Sequence, residues 1–423
     1  MFQSSRYDPK LSKECKINPK KARASFLLRL IGKQVQWDRN NRYMLSRMLF
    51  LFEELVIDDS APKYIKDIAN SKFKNIFGVS LHDFIKIGAI LYAGSIYQKG
   101  GLRRDYLEKA RDLGMPVPDD ETVKACLKLI ACDPRQYKTN KLFIKNNINP
   151  LLMYPLIRIW ENSDRDEPFD DKFIAPVPNL LMYRITIGLY YQLYNIFGKK
   201  FSTKFGELFE VYVSKILDGF KLSSRVVSED EVDIYISSKG KKGSKPKRPD
   251  WTIFTEEGII LIECKATHYT HDMYEHGVDA KNIGCFKQIR KSLNQFDEFE
   301  HQLPELCKKL GAGYKDLNVQ RVIVSFEPLW GLKDGPIKEY IDGKKRRDWV
   351  LIPVEILEEI QPYIARGASF WSFILEYKAT SEHDFYKIIE DMKSNTGAKD
   401  SDNMFHAYRN KLFDELLGDV DDQ

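Results

Sequence analysis

The sequence predicts an α+β chain with α/β character, in which a helical amino-terminal domain precedes a domain of mixed strands and helices. Three observations carry this. Apolar residues recur at helical spacing from the start to about residue 195. From about residue 200 the pattern changes to helix, strand, strand, strand, helix, strand. Within that second part, Trp251 to Phe254 and Ile259 to Lys265 are apolar runs either side of the turn cluster Thr255-Glu256-Glu257-Gly258, which predicts a β-hairpin.

Taken in order, the first 42 residues carry many Lys and Arg, including Lys16, Lys20, Lys21, Arg23 and Arg29, and read either as a solvated arm or as a contact for a nucleic-acid backbone. Met44 to Val56 and Leu81 to Tyr97 have helical spacing, the second behind a capping box of Ser80 and Asp83. Glu121 to Ala131 repeats the amphipathic pattern. Pro155, Pro168, Pro176 and Pro178 break the chain, so domains are expected at 1–178 and 179–395, with a tail at 396–423 that ends in the acidic run DELLGDVDDQ. Asn179 to Phe197 is expected to be a long connecting helix and Thr203 to Leu217 another. Arg225 to Ile236 alternates like an edge strand, and the hairpin follows. Ile283 to Phe299 reads as a helix and Gln320 to Phe326 as a buried strand. Trp349 to Val354 adds a strand, with helices at Glu355 to Ala365 and Ser369 to Tyr377.

A chain of 423 residues, 43% hydrophobic and 30% charged, has enough apolar material for two or more cored domains and is not a disordered chain. Net charge is only +5, but the basic residues cluster: Lys239 to Arg248 (KGKKGSKPKR) holds six positive charges in ten residues, and Lys344-Lys345-Arg346-Arg347 is a second run. Such runs attract phosphate or simply stay solvated. Cys15, Cys126, Cys132, Cys264, Cys285 and Cys307 form no Cys-x-x-Cys pair, which suits a reducing compartment, and the expected location is the cytoplasm. No segment reaches the roughly 18 uncharged apolar residues of a membrane span, and the first residues lack a signal-peptide core.

The chemistry concentrates in the hairpin. A turn centred between Glu256 and Glu257 pairs Phe254 with Ile259, Ile253 with Ile260 and Asp250 with Glu263. The two carboxylates are then cross-strand neighbours, with Cβ atoms roughly 5 Å apart. Opposed like charges need compensation, and a hard divalent cation with oxygen ligands supplies it. Alternation puts Lys265 on the Glu263 face, where its ammonium can hold a water or steady negative charge, while Ile262 and Cys264 point the other way, toward the core. Arg248 would face Lys265 in the same register. The plainer alternative is a solvent-facing hairpin whose Glu and Lys form a surface pair.

Pro249-Asp250, twelve residues, then Glu263-Cys264-Lys265 resembles the PD-(D/E)xK signature of the restriction-endonuclease-like nuclease superfamily. Gly206-Glu207-Leu208-Phe209-Glu210, on the helix before the hairpin, is similar to the Gly-x-x-Phe-Glu pattern that often supplies an acidic metal ligand there. The resemblance covers residues of about 200 to 330 and implies a central mixed sheet flanked by helices. It implies Asp250, Glu263 and Lys265 as catalytic residues, with Mg²⁺ held by Asp250, Glu263 and the main-chain carbonyl of Cys264. Mn²⁺ should substitute. Glu210 would complete the metal shell, with Glu207, one turn away, as fallback; an ordinary solvated helix acid is the alternative for Glu210. Lys245, Lys247 and Arg248 from the basic run, and Gln288, Arg290 and Lys291 from the following helix, are candidates by position for nucleic-acid contact, or else form a solvated face. The implied activity is metal-dependent hydrolysis of phosphodiester bonds in DNA, by an endonuclease of a restriction or phage-defence type. The alternatives are a non-catalytic or partner-gated nucleic-acid-binding subunit of a defence or repair complex, and an RNA-directed nuclease. Nucleic acid is the expected partner, with a partner protein or a second copy of the chain also open. Recognition, partner binding and regulation are the roles open to the helical domain.

Other constellations carry less. His268, His271 and His276 with Asp272 and Glu275 are spaced for zinc or for a polar loop, with no cysteine pair at a conventional interval. No Gly-Lys-Ser or Gly-Lys-Thr loop occurs, and no Gly-x-Ser-x-Gly elbow. The aromatic-rich stretch Tyr183 to Phe197 reads as core before base-stacking surface.

Overall fold

The computed structural model of the chain describes residues 19–34, 43–102, 106–112, 115–139, 149–159, 172–222, 224–236, 247–270, 273, 276–279, 283–311, 318–333, 335–343, 345, 347–380, 385–406 and 408. Its contacts divide it into two compact units, Met1–Gln36 with Val213–Asp402 (the sheet unit) and Trp37–Tyr212 with Asn403–Gln423 (the helical unit). The fold is α+β, as expected.

The first described element, α1 (Pro19–Gln34), belongs to the sheet unit. Charge alone makes this stretch either a solvated arm or a contact for a nucleic-acid backbone. Instead Ala22, Ala24, Ser25 and Leu28 are buried, because small residues on one side of α1 let it lie against the turn at Gly277–Asp279. There Val278 N–H donates to Ser25 Oγ at 3.2 Å. Gly277 has φ +63°, and a β-carbon on it would collide with the Ser25 backbone.

In the helical unit, α2 (Leu81–Tyr97) starts where expected, with Asp83 N–H donating to Ser80 Oγ at 3.0 Å. A second helix, α3 (Asp120–Ile130), is capped by Asp119, whose Oδ1 accepts from Thr122 N–H at 2.8 Å. The expected connecting helix is two: α4 (Asn179–Ile185) breaks at Thr186, and α5 (Ile187–Asp218) bends at Gly198, φ 66°. Gly88 on α2 has no side chain to hold off Ile185, so α2 and α4 pack closely and keep the residues after 178 with this unit. The sequence reads as predominantly helical to about 195, yet β1 (Gly101–Leu102), β2 (Ala131–Cys132), β3 (Leu156–Ile159) and β4 (Lys172–Ile174) form a small mixed sheet in the order β1-β4-β3-β2. Strands of two to four residues are too short for alternation to be visible. Arg184 is buried and donates to Met153 O at 2.9 Å and Leu129 O at 3.2 Å; burial lowers its pKa to about 10. The start of the expected tail is core: Phe405 is fully buried against the rings of Phe50, Tyr43 and Tyr212. The acidic end lies outside the described residues.

The sheet unit continues with β5 (Arg225–Ser228), α6 (Glu229–Tyr235), β6 (Trp251–Phe254), β7 (Ile259–Lys265), α7 (Gly284–Glu300), α8 (Leu303–Leu310), β8 (Val319–Ser325), α9 (Pro336–Asp342), β9 (Val350–Pro353), α10 (Val354–Ala365), α11 (Phe370–Ala379) and α12 (Phe385–Thr396). Arg225 to Ile236 is therefore strand then helix. Ser228 and Glu231 form a reciprocal capping box, which satisfies the first helical donors and outweighs the alternating pattern. The sheet order is β5-β6-β7-β8-β9, antiparallel over β5-β6-β7 and parallel over β7-β8-β9. α7 and α8 supply the crossover from β7 to β8 that a parallel pair requires.

The register of β7 on its neighbours decides what each side chain meets. Ile259, Leu261, Ile323 and Leu351 face α7, packed with Phe286, Ile289, Leu293 and Phe296. Glu263 pairs with Ile323 and so lies on that same covered face. The other face is buried as well, along Ile262, Cys264, Val322, Val324, Val350 and Ile352. β7 is a central strand with a core on both sides, not a hairpin strand with one solvated face.

Candidate functional site

The hairpin register is the expected one, with Phe254 opposite Ile259 and Trp251 opposite Ile262. Continued by one residue, it sets Asp250 beside Glu263. Asp250 Oδ2 accepts a hydrogen bond from Cys264 N–H at 2.6 Å, so the last pairing across the strands is made by a side chain. Glu263 is 3% exposed. Its Oε1 receives the Lys265 ammonium at 2.5 Å and its Oε2 receives Gln295 Nε2 at 2.7 Å. The same ammonium donates to Cys264 O at 2.9 Å. Asp250, Glu263, Cys264 and Lys265 thus form one buried cluster at the end of β7, where the apolar stripe Ile259-Leu261 gives way to charge.

The electrostatics follow from that burial. Enclosure pushes the Asp250 carboxyl above its ordinary pKa; the Lys265 charge and the Cys264 N–H pull it back only in part, and Glu229 adds a repulsive charge. Burial acts to lower the Lys265 pKa, but the Glu263 and Asp250 carboxylates outweigh it and hold the ammonium above its ordinary value. The lysine ammonium is favoured, and the Asp250 carboxyl is short of positive charge around it.

The donor set suits a hard divalent cation. Two carboxylates and a main-chain carbonyl offer only oxygen, and an ammonium already bridges Glu263 and Cys264 O, which marks the place as one where a cation is stable. Among the described residues no group of three or more His, Cys, Asp or Glu side chains is arranged to hold a metal ion. Glu210 and Glu207 lie on α5 in the helical unit; Glu207 is held by Lys204 Nζ at 2.7 Å, and Glu210 is half-buried.

The remaining candidates separate. Arg248 does not extend an exposed basic face: it is 1% exposed, pairs with Asp233 and donates to Ile236 O at 2.5 Å. A guanidinium held this way fastens the end of α6 to the residue two before Asp250. Arg290 also does structural work, donating to Ile341 O at 2.9 Å and Tyr340 O at 3.1 Å. Gln288, Lys291 and Lys247 are exposed, and Lys245 lies outside the described residues. The second basic run is partly neutralised, since Lys345 and Arg347 both pair with Asp297, at 3.3 and 3.0 Å. Of the histidine cluster, His268 is half-buried and His276 exposed, while His271, Asp272 and Glu275 lie outside the described residues.

Sequence reasoning missed Gln295 and Glu229. Gln295 is 7% exposed and donates to Arg248 O as well as to Glu263, so one amide fixes the segment before Asp250 and the second carboxylate together. A signal existed: Gln295 is a polar residue inside the buried stripe of α7, two turns beyond Gln288. Glu229 N–H donates to Asp250 O at 3.0 Å, a contact hidden while Glu229 was read as strand. No protein-family model matches the sequence, and no curated protein matches it.

Proposed function

We propose that the chain is a divalent-cation-dependent nuclease that hydrolyses phosphodiester bonds in DNA, on a sheet of restriction-endonuclease type. The observation that carries the reading is the cluster at the end of β7, in which the register brings Asp250, Glu263 and Lys265 together about the Cys264 peptide. Asp250, Glu263 and the Cys264 carbonyl are the residues that would hold Mg²⁺. When bound, such an ion polarises a phosphate oxygen and makes a bound water acidic.

The chain's own groups do the rest. Cys264 N–H fixes the Asp250 carboxylate, and Gln295 fixes Glu263, so both acids are set before anything binds. Lys265, charged throughout the neutral range, orients the attacking water or steadies negative charge on the phosphate. Exposed Lys247, Gln288 and Lys291 are available to phosphate. The helical unit would serve substrate recognition, a partner or regulation.

The test is incubation of the purified chain with supercoiled, linear and single-stranded DNA and with RNA, in Mg²⁺ or Mn²⁺, beside an EDTA control and Lys265→Ala. Cutting of DNA that needs the metal and Lys265 supports the reading, and nicking of the supercoiled form marks an endonuclease. Preference for RNA would replace the substrate. Folded, DNA-binding protein that cuts nothing would point to a binding subunit or a gated enzyme.

A further inference from the structure

The two oxygens that hold the Lys265 ammonium, Glu263 Oε1 and Cys264 O, belong to two of the three groups assigned above to the metal. An ammonium and a divalent ion cannot occupy one oxygen cradle, because like charges at such a separation repel strongly where water is excluded. We propose that Lys265 is the resident cation of the metal-free site, and that a divalent ion enters by displacing its ammonium, which is thereby freed to face substrate. The inference rests on the metal-site reading of the same cluster.

What can move and what cannot is set by the neighbours. Glu263 is pinned through its other oxygen by Gln295, itself anchored on Arg248 O, and Asp250 is pinned by Cys264 N–H. Neither carboxylate can follow the lysine away. Lys265 ends β7, and its side chain is 17% exposed against 4% for Glu263. A four-carbon stem at the end of a strand can swing toward solvent with little repacking. The carboxylates of the cradle are therefore fastened by other partners, and Lys265 is the member with a path to solvent. An ion that takes the ammonium's place also restores charge balance: two carboxylates and one ammonium leave an excess of negative charge, whereas two carboxylates and a divalent ion leave none. Metal loading and release of the catalytic ammonium become one event, so the metal-free site keeps its lysine out of use.

The test is calorimetric titration of Mn²⁺, without substrate, into the full chain and into Lys265→Met, Lys265→Gln, Asp250→Asn and Lys287→Met, each checked for folding by near-UV circular dichroism. Lys265→Met keeps the length of the stem, Lys265→Gln a polar tip, and Lys287→Met removes an exposed charge of the same sign on α7. Displacement predicts that both Lys265 variants bind Mn²⁺ at least about tenfold tighter than the wild type, that Lys287→Met stays within about twofold, and that Asp250→Asn binds most weakly. Equal or weaker binding by the Lys265 variants, with Asp250→Asn still impaired, would overturn displacement and leave the metal site standing. Equal tightening by Lys287→Met would also overturn it, since net charge would then be the cause. Absence of Mn²⁺ binding at millimolar concentration in the wild type and both Lys265 variants would remove the metal site itself.

Discussion

Gln295 gives the site its rigidity, since a single amide reaches both Glu263 and the main chain before Asp250. Replacing it with leucine leaves buried acceptors without that donor, so Gln295→Leu should cost about 1–3 kcal/mol of stability and weaken metal binding about tenfold, read by thermal melts and Mn²⁺ titration. Asp250 works in the opposite sense. Its pKa is raised above the usual 3.8, so the folded chain holds that proton more tightly than the unfolded one. The stability contributed is fully present below 3.8 and is lost as pH rises through the raised value. At neutral pH in EDTA, Asp250→Asn should therefore raise the melting temperature while weakening metal binding; no rise would show that the carboxylate is fully compensated. That Asp250, Glu263 and Lys265 come together was legible in the sequence because a local turn sets their register. Gln295 was not, because its two contacts depend on how α7 docks across the sheet.

At the scale of the element, α6 and the segment before β6 brace each other. Ser228 and Glu231 close the start of α6, and Arg248 ties its end through Asp233 and Ile236 O. Ser228→Ala should cost about 1 kcal/mol, the value of an N-cap. Arg248→Met should cost more, about 2–3 kcal/mol, because it removes a buried guanidinium and leaves the half-buried Asp233 and Ile236 O without their donor. Denaturant melts of the two variants check the order, and a smaller loss for Arg248→Met would mean that the guanidinium is exposed in solution. The hairpin, α7, β8, β9, α10 and α11 were readable from periodicity alone. Residues 225–236 were not, since Val232, Ile234 and Ile236 alternate as a strand would and only the capping box shows that a helix begins after Ser228.

Across the whole molecule, sequence-distant pieces complete each unit. α1 lends Ala24 and Leu28 to the core that backs β7, beside Val278, Ile337 and Ile341. Deleting residues 1–34 should open that core and lower the melting temperature by about 5 °C or more, while a loss of under a degree would show that α1 is not docked in solution. Composition alone could not place it, because a basic helix with small apolar residues on one side has the charge of a solvated arm. The small sheet of the helical unit escaped for a different reason, its strands being shorter than one cycle of any pattern. The proposed divalent-cation site at the end of β7 can be checked atom by atom through anomalous diffraction from crystals of the full chain grown with Mn²⁺. The expected result is a manganese peak within coordinating distance of Asp250, Glu263 and the Cys264 carbonyl, with the Lys265 ammonium moved off Glu263; a peak elsewhere, with Lys265 still seated between Glu263 and Cys264 O, would overturn the proposed site.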